Sequence, residues 1–166
     1  YTRLLVRLIE MCARVGKLHI AYHYLMQAKS NDPSFNFAVG LYYHYAGNPT
    51  KALSNFKKSC VGSNKWLIPA KFEIFAILSN PDRKYIWVEK QPLSSAENLN
   101  ECQRILDSLQ SSGHIDDFTI SLLKADLLCS QNTNESVSEA DQIYEDLLKS
   151  KEKIPIACMT GHARCL

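Results

Sequence analysis

Residues 39–56 read VGLYYHYAGNPTKALSNF. Gly40 lies inside an aromatic run of helical character, where glycine costs roughly 0.5–1 kcal/mol against alanine. Ala52 follows twelve residues after that glycine, and Phe56 sixteen. Between them, Gly47 reads as a helix stop and Asn48-Pro49 as an N-cap with proline at the first helical position. The stretch is two helices joined by a tight turn, with a small residue in each and a ring in the second. Small residues let the two helices approach closely, and the ring is expected to fill the gap against the next pair. Each large side chain buried this way contributes about 1.5–3 kcal/mol, which offsets the glycine penalty.

Outward from this stretch the period stays helical. Leu4, Leu5, Leu8, Ile9 and Cys12 define one face of a first helix that Gly16 stops. Ala21, Leu25 and Ala28 mark a second helix of about four turns, and Asp32-Pro33 starts the helix that contains Gly40. A fifth helix is predicted from about Pro69, carrying Phe72, Phe75, Ala76 and Leu78 and ending at Asn80-Pro81-Asp82. Residues 80–94 form a connection longer than the usual 2–8 residues between paired helices. It reads as an insertion packed back on the helices through Tyr85, Ile86 and Trp87. Ser94 with Glu97, and Ser136 with Glu139, read as capping boxes. Behind them lie the stripes Leu99, Cys102, Ile105, Leu106, Leu109 and Ala140, Ile143, Tyr144, Leu147, Leu148. Asp116 caps the helix between them, which carries Phe118, Leu122, Ala125 and Leu128 and follows a stop at Gly113. Pro155 begins a last helix. About nine helices and no strand are expected, because no Val/Ile/Thr alternation bounded by turn residues occurs.

The helices share a frame. Gly40, Tyr43, Ala52 and Phe56 stand at relative positions 0, 3, 12 and 16. Ala21, Leu25, Ala28 and Pro33 continue it at 12, 16, 19 and 24 in the first pair. Ala140, Tyr144 and Leu147 copy it in the fourth pair, and Cys102, Leu106 and Leu109 in the third. The small residues of the second helices are 31, 50 and 38 residues apart, so the array is irregular. This pattern resembles the tetratricopeptide repeat, an antiparallel helix pair of about 34 residues. The resemblance implies an all-α tetratricopeptide-repeat solenoid, wound as a right-handed superhelix. Two helix pairs are expected in residues 1–62 and a degenerate pair in 63–113, with the insertion at 80–94. A fourth pair is expected in 114–152 and the first helix of a further repeat in 153–166. An irregular helical bundle carrying the same stripes is the alternative fold.

Composition narrows the function classes. The chain has 166 residues, 46% of them hydrophobic and 22% charged, as in ordinary globular proteins. Its net charge of +2 is interleaved along the sequence, with only pairs such as Lys57-Lys58 and Arg83-Lys84. That argues against nucleic-acid or anionic-membrane binding. No apolar run approaches the roughly 20 residues of a membrane helix. Six scattered cysteines without a C-x-x-C read as reduced, buried small residues of a cytosolic chain. Asn134-Glu135-Ser136 matches a glycosylation sequon that would have no meaning there. Tyr1 in place of Met, and helix-like sequence at both ends, point to a piece of a longer protein.

More specific strings lie in FNFAVGLYYHYAGNPTKALSNFKKS (35–59), FEIFAILSNPD (72–82) and EADQIYEDLLKSKEKIPIACMTGHARCL (139–166). They resemble the tetratricopeptide repeat protein 21 family, the large repeat subunit of intraflagellar transport complex A. The frame is Gly40, Leu41, Tyr42, Tyr45, Gly47, Pro49, Ala52, Leu53 and Phe56, then Asn80-Pro81-Asp82. The insertion departs from the family by being shorter and less acidic, with Lys84, Trp87 and Lys90. The resemblance implies a non-catalytic scaffold that binds the other complex-A subunits and supports retrograde transport in cilia. A cytosolic repeat adaptor unrelated to cilia is the alternative.

Few residues offer chemistry. His19 and His23 lie at i, i+4, a geometry that can hold zinc, but no acidic or thiol partner is near in sequence. Cys158, His162 and Cys165 share one face of the last helix and could supply three zinc ligands. Yet Ala157, Cys158 and Gly161 also fit the small packing positions of a repeat's first helix, and a fourth ligand would have to lie beyond the chain. No phosphate-cradling glycine loop, G-x-S-x-G or H-E-x-x-H occurs, and Asp116, Asp117 and Asp126 fit caps and solvated faces. No metal, dinucleotide or other cofactor is expected, nor a small-molecule ligand. Chaperone-adaptor repeats clamp a peptide carboxylate with Lys and Asn. The matching positions here are Val6 and Glu10, and the acid would repel it. Among Phe37, Tyr42, Tyr43, His44 and Tyr45, the helical phase turns Tyr43 inward. It leaves Phe37, His44 and Tyr45 as the candidate partner-binding groove.

Overall fold

Caps and proline placements fix where the helices begin. In the computed structural model, which describes residues 1–88, 90–150 and 155–166, Asp32, Asn48 and Asp116 are N-caps. Their side chains accept from the backbone N–H of Ser34, Lys51 and Thr119. Pro33 and Pro49 occupy the first helical positions, where a missing N–H costs nothing. Gly47 ends its helix at φ +74°, a conformation natural to glycine.

The order is α1 (Thr2–Arg14), α2 (Leu18–Ala28), α3 (Pro33–Tyr45), α4 (Pro49–Ser59) and α5 (Leu67–Ser79). After a short pair of strands, β1 (Trp87–Val88) and β2 (Gln91–Pro92), come α6 (Ala96–Ser111), α7 (Asp117–Gln131), α8 (Asn134–Ser150) and α9 (Ile156–Cys165). The chain divides into two compact units, Tyr1–Ile77 and Leu78–Leu166. It is an all-α helical-repeat protein. The boundary expected at 152/153 lies outside the described residues.

In the first unit α1 packs on α2 and α3, and α3 on α4. The face of α1 is not the one its leucines indicate: Leu5, Val6, Ile9 and Cys12 are buried, while Leu4 is 72% exposed. Val6 replaces Leu4 because 5, 6, 9 and 12 form a narrower stripe at the helical period. Helix α2 spans three turns rather than four and buries only Ala21 and Leu25. At the opening stretch, Gly40, Ala52, Leu53 and Phe56 are all buried. A Cβ on Gly40 would lie 2.7 Å from two carbons of the Phe56 ring. The ring therefore fills the notch of its own partner helix, not the gap against the next pair.

The second unit shows the expected plug in the expected place. Here α7 packs on α8, and α8 on α9, around Ala125, Ala140, Tyr144, Leu147 and Cys158. The Tyr144 ring lies directly against Gly161 of the following helix, where no Cβ would fit.

Residues 80–94 depart from expectation. Trp87 pairs with Pro92 and Val88 with Gln91 in an antiparallel ladder too short to leave a sequence alternation. Ile86 and Trp87 are exposed, at 74% and 58%; Val88 and Leu93 are the buried anchors instead. Asn80, at φ +43°, orders the segment by donating to the Tyr85 carbonyl at 2.6 Å and accepting from its N–H at 3.2 Å.

Both capping boxes shift. Helix α6 is capped by Ser95, which accepts from the Asn98 N–H, and Asn98 donates to the Pro92 carbonyl. At α8 the reciprocal pair is Thr133 and Ser136: each hydroxyl accepts from the other's backbone N–H, at 3.1 and 3.0 Å. Ser136 plays the part of the usual Glu, because its hydroxyl can accept from an N–H just as a carboxylate does.

Candidate functional site

The aromatic surface of the first unit is built by α2, α3 and the start of α4. Phe37 does not belong to it. Its ring stacks on Trp66 at 4.7 Å and meets Phe56 at 5.5 Å, and the residue is 5% exposed. The Gly40 notch draws Phe56 inward, and Phe37 follows it into the core. His44 is half-buried beside Tyr45, which is 47% exposed. Tyr43 is only partly buried and lies under the Lys51 ammonium, 5.1 Å from its ring centre.

Sequence phase missed the contribution of α2. Ile20, Tyr22, Tyr24 and Met26 are all exposed, and the Tyr22 ring lies 5.4 Å from Tyr42. The signal was present: LHIAYHYLMQA is apolar nearly all round and has no Asp, Glu, Lys or Arg. A helix of that kind with one narrow buried stripe presents apolar side chains outward. Burial first, then neighbouring Tyr43 and Tyr22, pushes the Tyr42 hydroxyl above its ordinary range. Burial, then Glu10 and Glu73, does the same to Tyr45. Both remain O–H donors near neutral pH, as protein-binding tyrosines usually are. Val6 is buried and Glu10 accepts from Arg7 at 3.2 Å, so neither offers a carboxylate clamp.

The second unit holds a polar junction that the sequence did not reveal. Asp126 is not on a solvated face. It accepts from the Tyr144 hydroxyl at 2.5 Å and from Arg164 Nη1 at 3.2 Å. Arg164 Nη2 reaches Asp82 at 2.9 Å. One guanidinium thus joins α7, α9 and the start of the hairpin segment, using the fork geometry that suits paired carboxylates. Burial pushes the Asp126 carboxyl above the usual carboxylate range, opposed by the Tyr144 hydroxyl and by Arg164. Two clefts of about 300 and 390 Å3 open beside this junction, and Arg83, Asn132 and Cys129 line both.

Helix α9 does not assemble a metal site from its three candidate ligands. Cys158 is fully buried and its thiol donates to the Tyr144 carbonyl. His162 Nδ1 pairs with Asp141 at 2.7 Å. Cys165 turns to Cys129, with the sulfurs 3.4 Å apart. His23 pairs with Gln27, and His19 is exposed. No cluster of three such ligands occurs among the described residues. No helix among them is long and apolar enough to cross a membrane.

Paired helices locked at undersized residues define a helical-repeat segment. The family profile described as the TT21 fifth ARM repeats domain matches residues 1–77, the same bounds as the first compact unit. The chain is 35% identical over 102 residues to tetratricopeptide repeat protein 21B of Mus musculus, covering 58% of this chain and 7% of that protein. It is 33% identical over 88 residues to tetratricopeptide repeat protein 21B of Homo sapiens, covering 49% of this chain and 7% of that protein. The matched stretch therefore spans about 7% of the length of these relatives. The profile match over residues 1–77, just under half of the chain, and the two relatives together support a helical-repeat segment similar to tetratricopeptide repeat protein 21B.

Proposed function

We propose that this chain is a non-catalytic protein-binding segment of an intraflagellar transport complex A scaffold, supporting retrograde ciliary transport and entry of ciliary cargo. Its partners would be the other subunits of that complex, of the WD40, tetratricopeptide-repeat and small-subunit kinds. It would work at the cilium and its base, in the cytoplasm and against the cytoskeleton. The observation that carries the reading is the family match over 1–77, in a unit whose α2 presents uncharged Ile20, Tyr22, Tyr24 and Met26 to solvent. Tyrosine and methionine supply contact area at low desolvation cost and are favoured at protein interfaces. His44 and Tyr45 would extend the same face.

The test is affinity purification of the full-length protein from ciliated cells, as wild type and as the Tyr22→Glu/Tyr45→Glu double variant. Wild type is expected to bring down WD40-type and repeat-type transport subunits. The double variant should recover at least about tenfold less, as loss of interface anchors commonly produces, with an unchanged melting temperature. Recovery of chaperones or cell-cycle proteins without transport subunits would make it a cytosolic adaptor instead. Full recovery by the double variant would remove this face from the interface.

A further inference from the structure

We propose that Cys129 and Cys165 form an oxidisable dithiol, which a peroxide converts into a disulfide tying α9 to α7. The two sulfurs lie 3.4 Å apart, against about 2.05 Å in a disulfide, so closure needs a shift of about 1.4 Å. Both residues are partly exposed, and Cys129 lines both clefts, each large enough for a molecule of peroxide size. The other four thiols are placed differently. Cys12, Cys102 and Cys158 are buried. Cys60 is partly exposed, in the first unit.

Geometry assigns the roles. Cys129 lines both clefts, whereas Cys165 lines neither; burial first, and the contact with Cys129 second, push the Cys165 thiol up. Cys129 is then the sulfur that reacts, from the cleft side. Its thiolate attacks one peroxide oxygen, the O–O bond breaks, and hydroxide leaves to be protonated as water. Cys129 becomes a sulfenic acid. Cys165 sulfur attacks that sulfur, the S–O bond breaks, and the departing oxygen takes up the Cys165 proton as a second water. Two thiols lose two electrons in all, and one peroxide is reduced to two waters.

The bond would close a link between residues 36 apart in sequence. It would hold α9 where Gly161 already meets Tyr144 and where Arg164 already bridges Asp126 and Asp82. The reading is independent of any ciliary role.

The experiment treats the full chain with one equivalent of hydrogen peroxide. Free thiols are then blocked with one maleimide, and thiols released by dithiothreitol with a heavier one. The expected result is two of the six cysteines in the heavy fraction, with mass spectrometry linking the Cys129 and Cys165 peptides. Cys60→Ser should leave that link intact. Cys165→Ser should stop at a Cys129 sulfenic acid trapped by dimedone. Six light-labelled thiols, a link between other cysteines, or oxidation centred on Cys60 would each overturn the proposal. The wild-type labelling alone decides it should a serine variant fail to fold.

Discussion

Gly40 is an expensive residue for a helix interior, and the space above it explains the expense. Two carbons of the Phe56 ring would lie 2.7 Å from any Cβ placed there. That ring is fully buried and cannot swing away without opening the Phe37 and Trp66 stack beside it. Gly40→Ala should therefore destabilise the protein by about 1–3 kcal/mol, the range for overpacking. Helix propensity alone predicts a gain of about 1 kcal/mol. Urea denaturation measures the difference. The companion variant Phe56→Leu shortens the clashing group, so in its background Gly40→Ala should cost less. A strictly additive double variant would show that the ring is not the cause. Gly161 against Tyr144 repeats the arrangement across α8 and α9. One close-approach device thus serves both within a helix pair and between successive helices. The frame in the sequence made the small residues legible, but it assigned Phe56 to the wrong gap. Positions 12 and 16 specify which side chains are small and large, not which neighbouring helix receives the large one.

At the scale of elements, what can be read from sequence follows the range of the interaction. Asp32, Asn48 and Asp116 cap their helices as expected because each bond reaches only two or three residues along the chain. The hairpin was unreadable because a two-residue strand has no period, and its anchors Val88 and Leu93 look no different from Ile86. Asp126 looked solvated because its partners are 18 and 38 residues away. That junction makes a pH-dependent prediction. The Tyr144 hydroxyl holds the Asp126 carboxyl down, against the larger upward push of burial. Tyr144→Phe removes the downward contribution, so the folded-state carboxyl moves further up. A raised carboxyl weakens the folded state where it must be ionised and no longer does so once it is protonated. The variant should therefore lose about 1.5–3 kcal/mol near pH 7, the range for a hydrogen bond to a charged group. The deficit should shrink as pH falls through the carboxylate range. Guanidinium unfolding at pH 7.5 and pH 4 tests the sign. A deficit equal at both values would mean that the hydroxyl acts only by packing.

At the scale of the whole chain, the sequence showed an all-α repeat protein because helical periodicity and caps recur throughout. The candidate partner surface was half legible. Tyr45 is where its phase places it, whereas Phe37 is in the core and α2 supplies much of the exposed face. An outward face emerges only after the inward one is chosen, and α2 has apolar residues for both. Two independent boundaries coincide, the family match at 1–77 and the compact unit Tyr1–Ile77. Helices α1 to α4 pack among themselves, and the Gly40, Phe56, Phe37 and Trp66 contacts all lie inside that unit. Such a segment is near the lower size limit for a self-sufficient core. It has no disulfide to help, since its Cys12 and Cys60 are free. A fragment of residues 1–79, cut after α5, should still show a helical circular dichroism spectrum and a cooperative thermal transition. Its melting temperature should lie below that of the full chain, because small domains bury a smaller share of their surface. Gly40→Ala should lower that transition further, by several degrees, as about 1 kcal/mol does in a domain of this size. A fragment that is helical but melts without cooperativity would mean that the first unit needs more of the chain to order its core.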